Sequence, residues 1–309
     1  MDERTGFFRP LLGRVAMAGL VGLLACGGEE GAESPGEDGP AWTDLASQTT
    51  GRRTFLAFRT AAVDSVLPGC DADGPCARVA LTIPTFPEAR PQLQDALHRH
   101  VVDLAELELG PEDGALDADL LQELSARLAH AFLEDYRDFV ADFPDPSAGW
   151  FLERWVEVEA ASPDFLTLGM RELWYTGGAH SNGRARYRTL DAATGAELSL
   201  PELLRPGFEE PLRLAGERAF RTARELEETD DLAAAGFFES TAGRFALNEN
   251  FAPTVEGLAF HYDAYEIAAY AAGPTDLVIP WEEITDLILV DGPLADFVGL
   301  SNRSPGAPQ

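Results

Sequence analysis

Two segments of this chain concentrate the side chains that could do chemistry. The first reads Trp174-Tyr175-Thr176-Gly177-Gly178-Ala179-His180-Ser181-Asn182-Gly183. Paired glycines reach backbone conformations that other residues avoid, and they let a ligand approach the main chain closely. His180 beside Ser181 suggests acid–base or nucleophilic work. Adjacent residues on a strand point to opposite faces, however, so a His–Ser dyad is geometrically awkward here. The plainer alternative is a tight hairpin whose imidazole caps backbone groups. The second segment runs Phe260-His261-Tyr262-Asp263-Ala264-Tyr265-Glu266-Ile267-Ala268-Ala269-Tyr270. Its tyrosines carry polar tips on apolar bodies, which suits carbohydrate stacking or a protein interface. The alternative is a core edge with phenols tied to the backbone. Tyr175, Gly177, Gly178, His180, Tyr262, Tyr265 and Tyr270 are the candidate ligand-binding residues.

A third pattern is electrostatic. Arg184, Arg186 and Arg188 alternate, so on a strand they share one face, and Glu153, Glu157 and Glu159 form a similar row. On neighbouring strands these rows would form cross-strand ion pairs. On strands that do not touch, the arginine row becomes a candidate anion-binding strip. Signatures of specific catalysis are missing: there is no HExxH, no GxSxG elbow, no P-loop and no GxGxxG after a strand. Carboxylate pairs are too abundant to single out two for glycoside chemistry. We therefore assign no catalytic residue, no metal and no cofactor from the sequence.

These segments need elements to position them. Alternating or apolar runs predict strands over residues 54–66, 78–85, 150–159, 165–175, 184–190, 258–262 and 277–279. Leu93, Leu97, Val101, Leu104 and Leu107 recur at helical spacing over 91–108, with Pro91 suited to the first turn. The stripe Leu121, Leu124, Leu128, Phe132, Tyr136, Phe139 and Phe143 predicts a longer helix that Pro144 stops. A third helix covers 208–226, and a short one starts near Trp281. Strands and helices come in blocks, without strict βαβ alternation. That implies an α+β fold of mainly antiparallel sheets packed with helices. A break near 144–149 divides it into two subdomains, 52–147 and 148–300.

The chain has 309 residues, 45% of them hydrophobic, enough for a sizeable core. Acidic residues number 53 against 23 basic ones, all arginine, for a formal net charge of -30. That field repels nucleic acid and anionic headgroups and attracts cationic proteins, peptides or metal ions. At the N-terminus Arg4, Arg9 and Arg14 precede an uncharged apolar run, 15–25, too short to span a bilayer. The run ends in Leu23-Leu24-Ala25-Cys26, which resembles a bacterial lipobox. Residues 1–25 then read as a lipoprotein signal peptide, and Cys26 as the lipid-bearing residue that anchors the chain to a membrane. Residues 26–51 follow as a Gly/Glu/Ser/Pro-rich tether, and 301–309 form a disordered tail. The two remaining cysteines, Cys70 and Cys76, flank a turn-forming sequence. In an oxidising compartment they can form a disulfide at a hairpin tip, and a metal site is the alternative.

The order of motifs after residue 165 is informative as a series. It runs from the Tyr-Thr-Gly-Gly-Ala-His turn through Leu190-Asp191 with Thr194-Gly195, and Leu200 with Leu203-Leu204. It continues with Asn250-Phe251, the Gly257-Leu258-x-Phe260-x-Tyr262 strand, Tyr265-Glu266-Ile267-Ala268 and Val278-Ile279-Pro280-Trp281. This series resembles the extracytoplasmic domain that ends the anti-sigma factor RsiV and that also occurs in PdaC-type peptidoglycan deacetylases. The hairpin and long helix before it are similar to the small domain that usually precedes it. The resemblance implies an α+β domain outside the cytoplasmic membrane, a region that recognises lysozyme in the anti-sigma factor. The metal-binding His-x-x-x-His of the deacetylases is absent, and Ala269 replaces the usual proline.

Together these readings lead us to expect a lipid-anchored extracytoplasmic binding or sensing module. Its ligand would be a lysozyme-like cationic protein or cell-wall glycan. The alternatives are a peptidoglycan-modifying hydrolase with His180 as general base, or a structural envelope lipoprotein. The expected location is the cell envelope, at the outer membrane facing the periplasm if the source has two membranes.

Overall fold

The computed structural model describes residues 56–69, 75–144, 148–237 and 244–300. The expectations for the signal peptide, Cys26, the tether, Cys70 and the tail fall outside them.

Two sheets carry the fold. Strands β1 (Arg59–Val66), β2 (Arg78–Thr85), β3 (Phe151–Ala161), β4 (Phe165–Tyr175) and β5 (Asn182–Asp191) lie in that spatial order. All neighbours are antiparallel except β2 and β3, which run parallel. The exception follows from connection length: two helices, α1 (Pro91–Leu104) and α2 (Ala118–Asp142), lie between β2 and β3 in the chain, and parallel strands need such a crossover. The segments on either side of 145–147 therefore share one sheet. A second, antiparallel sheet consists of β6 (Phe251–Pro253), β7 (Gly257–Tyr262) and β8 (Thr275–Pro280). The short α3 (Leu200–Leu203), α4 (Glu209–Ala223) and α5 (Trp281–Ile284) complete the elements. The architecture is the expected α+β class with mainly antiparallel sheets.

Strand β4 divides the apolar interior, which explains its long hydrophobic run. On one face Leu166, Leu168 and Met170 pack with Leu97, Val101 and Leu121 from α1 and α2. On the other, Phe165 joins a core of Phe208, Leu212 and Phe220 with Phe260, Leu277 and Trp281. A strand buried on both faces is apolar throughout and not alternating. Gly257 lets β7 approach β8 closely, because a Cβ there would lie 2.1 Å from the Ile279 carbonyl oxygen.

Helix ends depart from expectation. The Asp117 carboxylate caps α2, accepting from the Leu120 N–H at 2.9 Å. By contrast, α1 stops at Leu104 and not at 108, because Glu106 turns to φ 49° and Leu107 N–H donates back to Val102 O at 2.9 Å. Likewise α4 stops at Ala223, short of 226, with Glu225 at φ 54° and Leu226 N–H bonded to Arg221 O. Both are left-handed terminations made without glycine.

Candidate functional site

The turn between β4 and β5 carries the first sequence segment. Gly177 and Gly178 sit at φ 103° and 107°, the left-handed region that favours glycine. The Tyr175 hydroxyl donates to Gly178 O at 2.9 Å and braces the turn. This exposes His180, whose Nδ1 lies 3.0 Å from Ser181 O. The second segment comes to meet it. The Tyr270 hydroxyl donates to the same Ser181 carbonyl at 2.7 Å, and the His180 and Tyr270 rings stack with centroids 3.7 Å apart and planes at 18°. Tyr265 extends the cluster, 5.5 Å from Tyr270. It is 62% exposed and sits at φ 70°, a conformation that costs a bulky side chain energy.

Thus Tyr175, Gly177, Gly178, His180, Tyr265 and Tyr270 come together. Tyr262 does not join them. It is buried in the second core, donates to Ala246 O at 2.9 Å, and its phenol is pushed above the usual tyrosine range by burial.

Behind this surface a polar network joins the two sheets at the free edge of β5. An outer strand leaves main-chain groups unpaired. Asn250 supplies them: its Oδ1 accepts from Tyr187 N–H at 2.9 Å and its Nδ2 donates to Ala185 O at 2.9 Å, as a strand would. Asp263 adds a third contact, accepting from Ala185 N–H at 3.0 Å, and pairs with Arg186. The Asp263 carboxylate also faces His261 Nε2 at 3.0 Å, while Asp276 faces Nδ1 at 2.7 Å. Burial alone would lower the His261 pKa, but the two carboxylates outweigh it and raise it to about 9. At neutral pH His261 is an imidazolium that donates from both nitrogens, so it has no lone pair for general-base work. Burial opposes ionisation of Asp263, yet His261, Arg186 and the Ala185 N–H together hold it below the ordinary carboxylate range. Asn250, Asp263 and Asp276 were not candidate site residues from the sequence, where only an Asn-Phe step marked Asn250.

The two charged rows do not pair with each other, because β4 separates β3 from β5. The glutamates find other partners: Glu153 meets Arg78 at 3.0 Å, while Glu159 pairs with Arg171, which lies 3.9 Å from Glu157. On the arginine side, Glu172 of β4 stands between Arg154 and Arg184 and pairs with both. Arg154, only 6% exposed, also donates to Ala105 O at the C-terminal end of α1, where the helix dipole favours a cation. Glu106 closes the group, 3.2 Å from Arg154 and 2.7 Å from Arg184. Arg188 pairs with Asp103. Above the arginine row opens a cleft of about 620 Å³. Among the described residues, no three His, Cys, Asp or Glu side chains are grouped as metal ligands.

Residues 201–282 match a family described as a protein of unknown function, DUF3298. The match begins after the Gly-Gly turn and includes Tyr262, Tyr265 and Tyr270. Two solved structures share the fold. One is a DUF3298 family member from Bacteroides fragilis, 19% identical, with a TM-score of 0.62, covering 82% of this chain and 100% of its own. The other is a DUF3298 family protein from Pseudomonas aeruginosa, 22% identical, with a TM-score of 0.51, covering 76% and 94%. No curated protein matches the chain.

Proposed function

We propose that the protein is a lipid-anchored binding or sensing module of the cell envelope, and that His180, Tyr265 and Tyr270 form its contact surface for a lysozyme-like cationic protein. The observation that carries this reading is the stacking of His180 on Tyr270, with Tyr265 presented beside them in an unfavourable backbone conformation. Exposed, pre-oriented aromatic groups are the usual anchors of binding surfaces. A net charge of -30 favours approach of a basic partner. The RsiV and PdaC resemblance of residues 165–290 supports an extracytoplasmic recognition role, and the lipobox around Cys26 supports the anchor. The His180 ring is occupied by stacking and by Ser181 O, and no carboxylate orients it among the described residues, which disfavours a hydrolase using it as base.

The test is calorimetric titration of the protein with lysozyme near physiological ionic strength and above, beside an unrelated basic protein. We expect saturable binding to lysozyme alone that survives added salt, because surface attraction is screened within about 8 Å at physiological salt. Binding that fades with salt and is shared by the control would reduce the reading to bulk electrostatics. Binding of peptidoglycan fragments instead would assign the aromatic surface to glycan.

A further inference from the structure

The cleft above the arginine row is lined by none of His180, Tyr265 and Tyr270, and charged side chains dominate its wall. Its volume, about 620 Å³, lies within the roughly 300–1,000 Å³ typical of small-molecule sites. Part of its wall is internally matched: Arg184 with Glu106, and Arg188 with Asp103. Four other lining side chains find no ion-pair partner within the wall: Arg186, whose partner Asp263 lies outside the lining, and Glu197, Glu249 and Glu266, the last already accepting from Asn248 Nδ2 at 2.7 Å and the Asp263 N–H at 2.9 Å.

Arg186 is 47% exposed and uses only Nη1, toward Asp263 and the Ala185 carbonyl. Its Nε and Nη2 have no acceptor among the described residues. Those two nitrogens form the side-on edge of the guanidinium, the edge that grips a carboxylate through two parallel hydrogen bonds. Glu197 and Glu249 line the same cleft, are exposed, and form no ion pair among the described residues. A free guanidinium edge and two free carboxylates therefore share one cavity without reaching one another.

This arrangement selects by charge pattern. A purely anionic ligand meets Glu197 and Glu249, and a purely cationic one meets the arginine row. A molecule with an ammonium at one end and a carboxylate at the other satisfies both sets. Asn248 and Asn250 add neutral polar groups to the wall. We propose that the cleft binds a small zwitterion, a free amino acid or short peptide, with its carboxylate on the Nε/Nη2 edge of Arg186 and its ammonium on Glu249 and Glu197. The inference does not depend on the aromatic surface.

The experiment is calorimetric titration of the full chain with trialanine, compared with the same peptide N-acetylated and the same peptide C-amidated. The expected result is saturable binding of the free peptide and at least a tenfold loss on capping either end. Arg186→Gln should abolish the effect of C-amidation; Glu249→Gln should reduce the effect of N-acetylation, and Glu197→Gln with Glu249→Gln should abolish it. Because Arg186 also holds Asp263, its variant is read only with an unchanged melting temperature. Glu249 has no ion-pair partner to lose, so its variant keeps the test decisive. Equal affinity for free and capped peptides, unaltered binding by Glu249→Gln, or no binding at millimolar trialanine would each overturn the proposal.

Discussion

The imidazole of His180 lies flat on the ring of Tyr270, with 3.7 Å between centroids, and the Tyr270 hydroxyl holds the carbonyl next to that histidine. One tyrosine thus fixes both the ring and the backbone of a Gly-Gly turn that belongs to the other sheet. The turn's glycines make it sharp, and the tyrosine makes it single-valued. Such ordering before any ligand arrives lowers the entropy lost on binding.

Tyr265 separates binding from stability. At φ 70° a non-glycine residue costs about 1–2 kcal/mol, while glycine there costs about 0.5–1 kcal/mol in chain entropy. Tyr265→Gly should therefore change stability by no more than about 1 kcal/mol, yet weaken partner binding about tenfold, or ~1.4 kcal/mol. Thermal melts and titration of the variant check this. A large fall in melting temperature would make Tyr265 a core residue.

Much of the fold was legible in the sequence because periodicity reports burial directly. The double-sided burial of β4 appears as a run of apolar residues, and the α2 stripe from Leu121 to Phe139 packs inward, whereas Phe143, just past the helix end, is 61% exposed. Helix ends were less legible: Glu106 and Glu225 adopt left-handed conformations that sequence normally advertises with glycine, so α1 and α4 read a few residues too long. The aromatic cluster was half legible. Each segment was visible, but the meeting of His180 with Tyr270 is a tertiary fact that no local pattern encodes. The arginine row was ambiguous for the same reason, since strand adjacency decides whether it pairs with Glu153 and Glu157. Asn250 was the least visible, because an amide that imitates a strand leaves no periodic trace.

Asn250 is expected to be structural. Replacing it with alanine leaves the Tyr187 N–H without its acceptor at the edge of β5, whereas the Ala185 carbonyl retains a bond from Arg186. An unmet donor of this kind costs about 1–3 kcal/mol. Asn250→Ala should lower the urea midpoint accordingly with an unchanged slope.

His261 predicts a pH dependence with a definite sign. Its pKa is about 9 in the folded protein against an ordinary value of 6.5. A raised pKa means that the folded state holds the proton more tightly, so the contribution is complete below about 6.5 and is lost as pH rises through about 9. The upper bound is about 3 kcal/mol at ~1.36 kcal/mol per unit. Urea midpoints measured between pH 6 and 10 should fall in this window for the native protein. In His261→Gln the fall should be much reduced. An equal fall in both would assign the alkaline loss to another group.

The pair beneath α1 gives the last prediction. Arg154 and Glu172 are almost wholly buried, and Arg154 also serves the carbonyl end of the helix. Removing one member leaves the other in a low-dielectric setting, which costs about 3–5 kcal/mol for a fully isolated pair. Glu172 keeps Arg184 at 3.1 Å and Arg154 keeps Glu106 at 3.2 Å, so each single change should fall toward the lower end. Arg154→Leu and Glu172→Leu should each destabilise the protein by about 2–4 kcal/mol. The double variant removes both desolvated charges at once and should lose less than the sum, with a coupling of at least about 1 kcal/mol. Chemical denaturation of the four proteins measures that cycle. Strict additivity would mean that Glu106 and Arg184 compensate each loss in full, and that Arg154 acts on the α1 carbonyls alone.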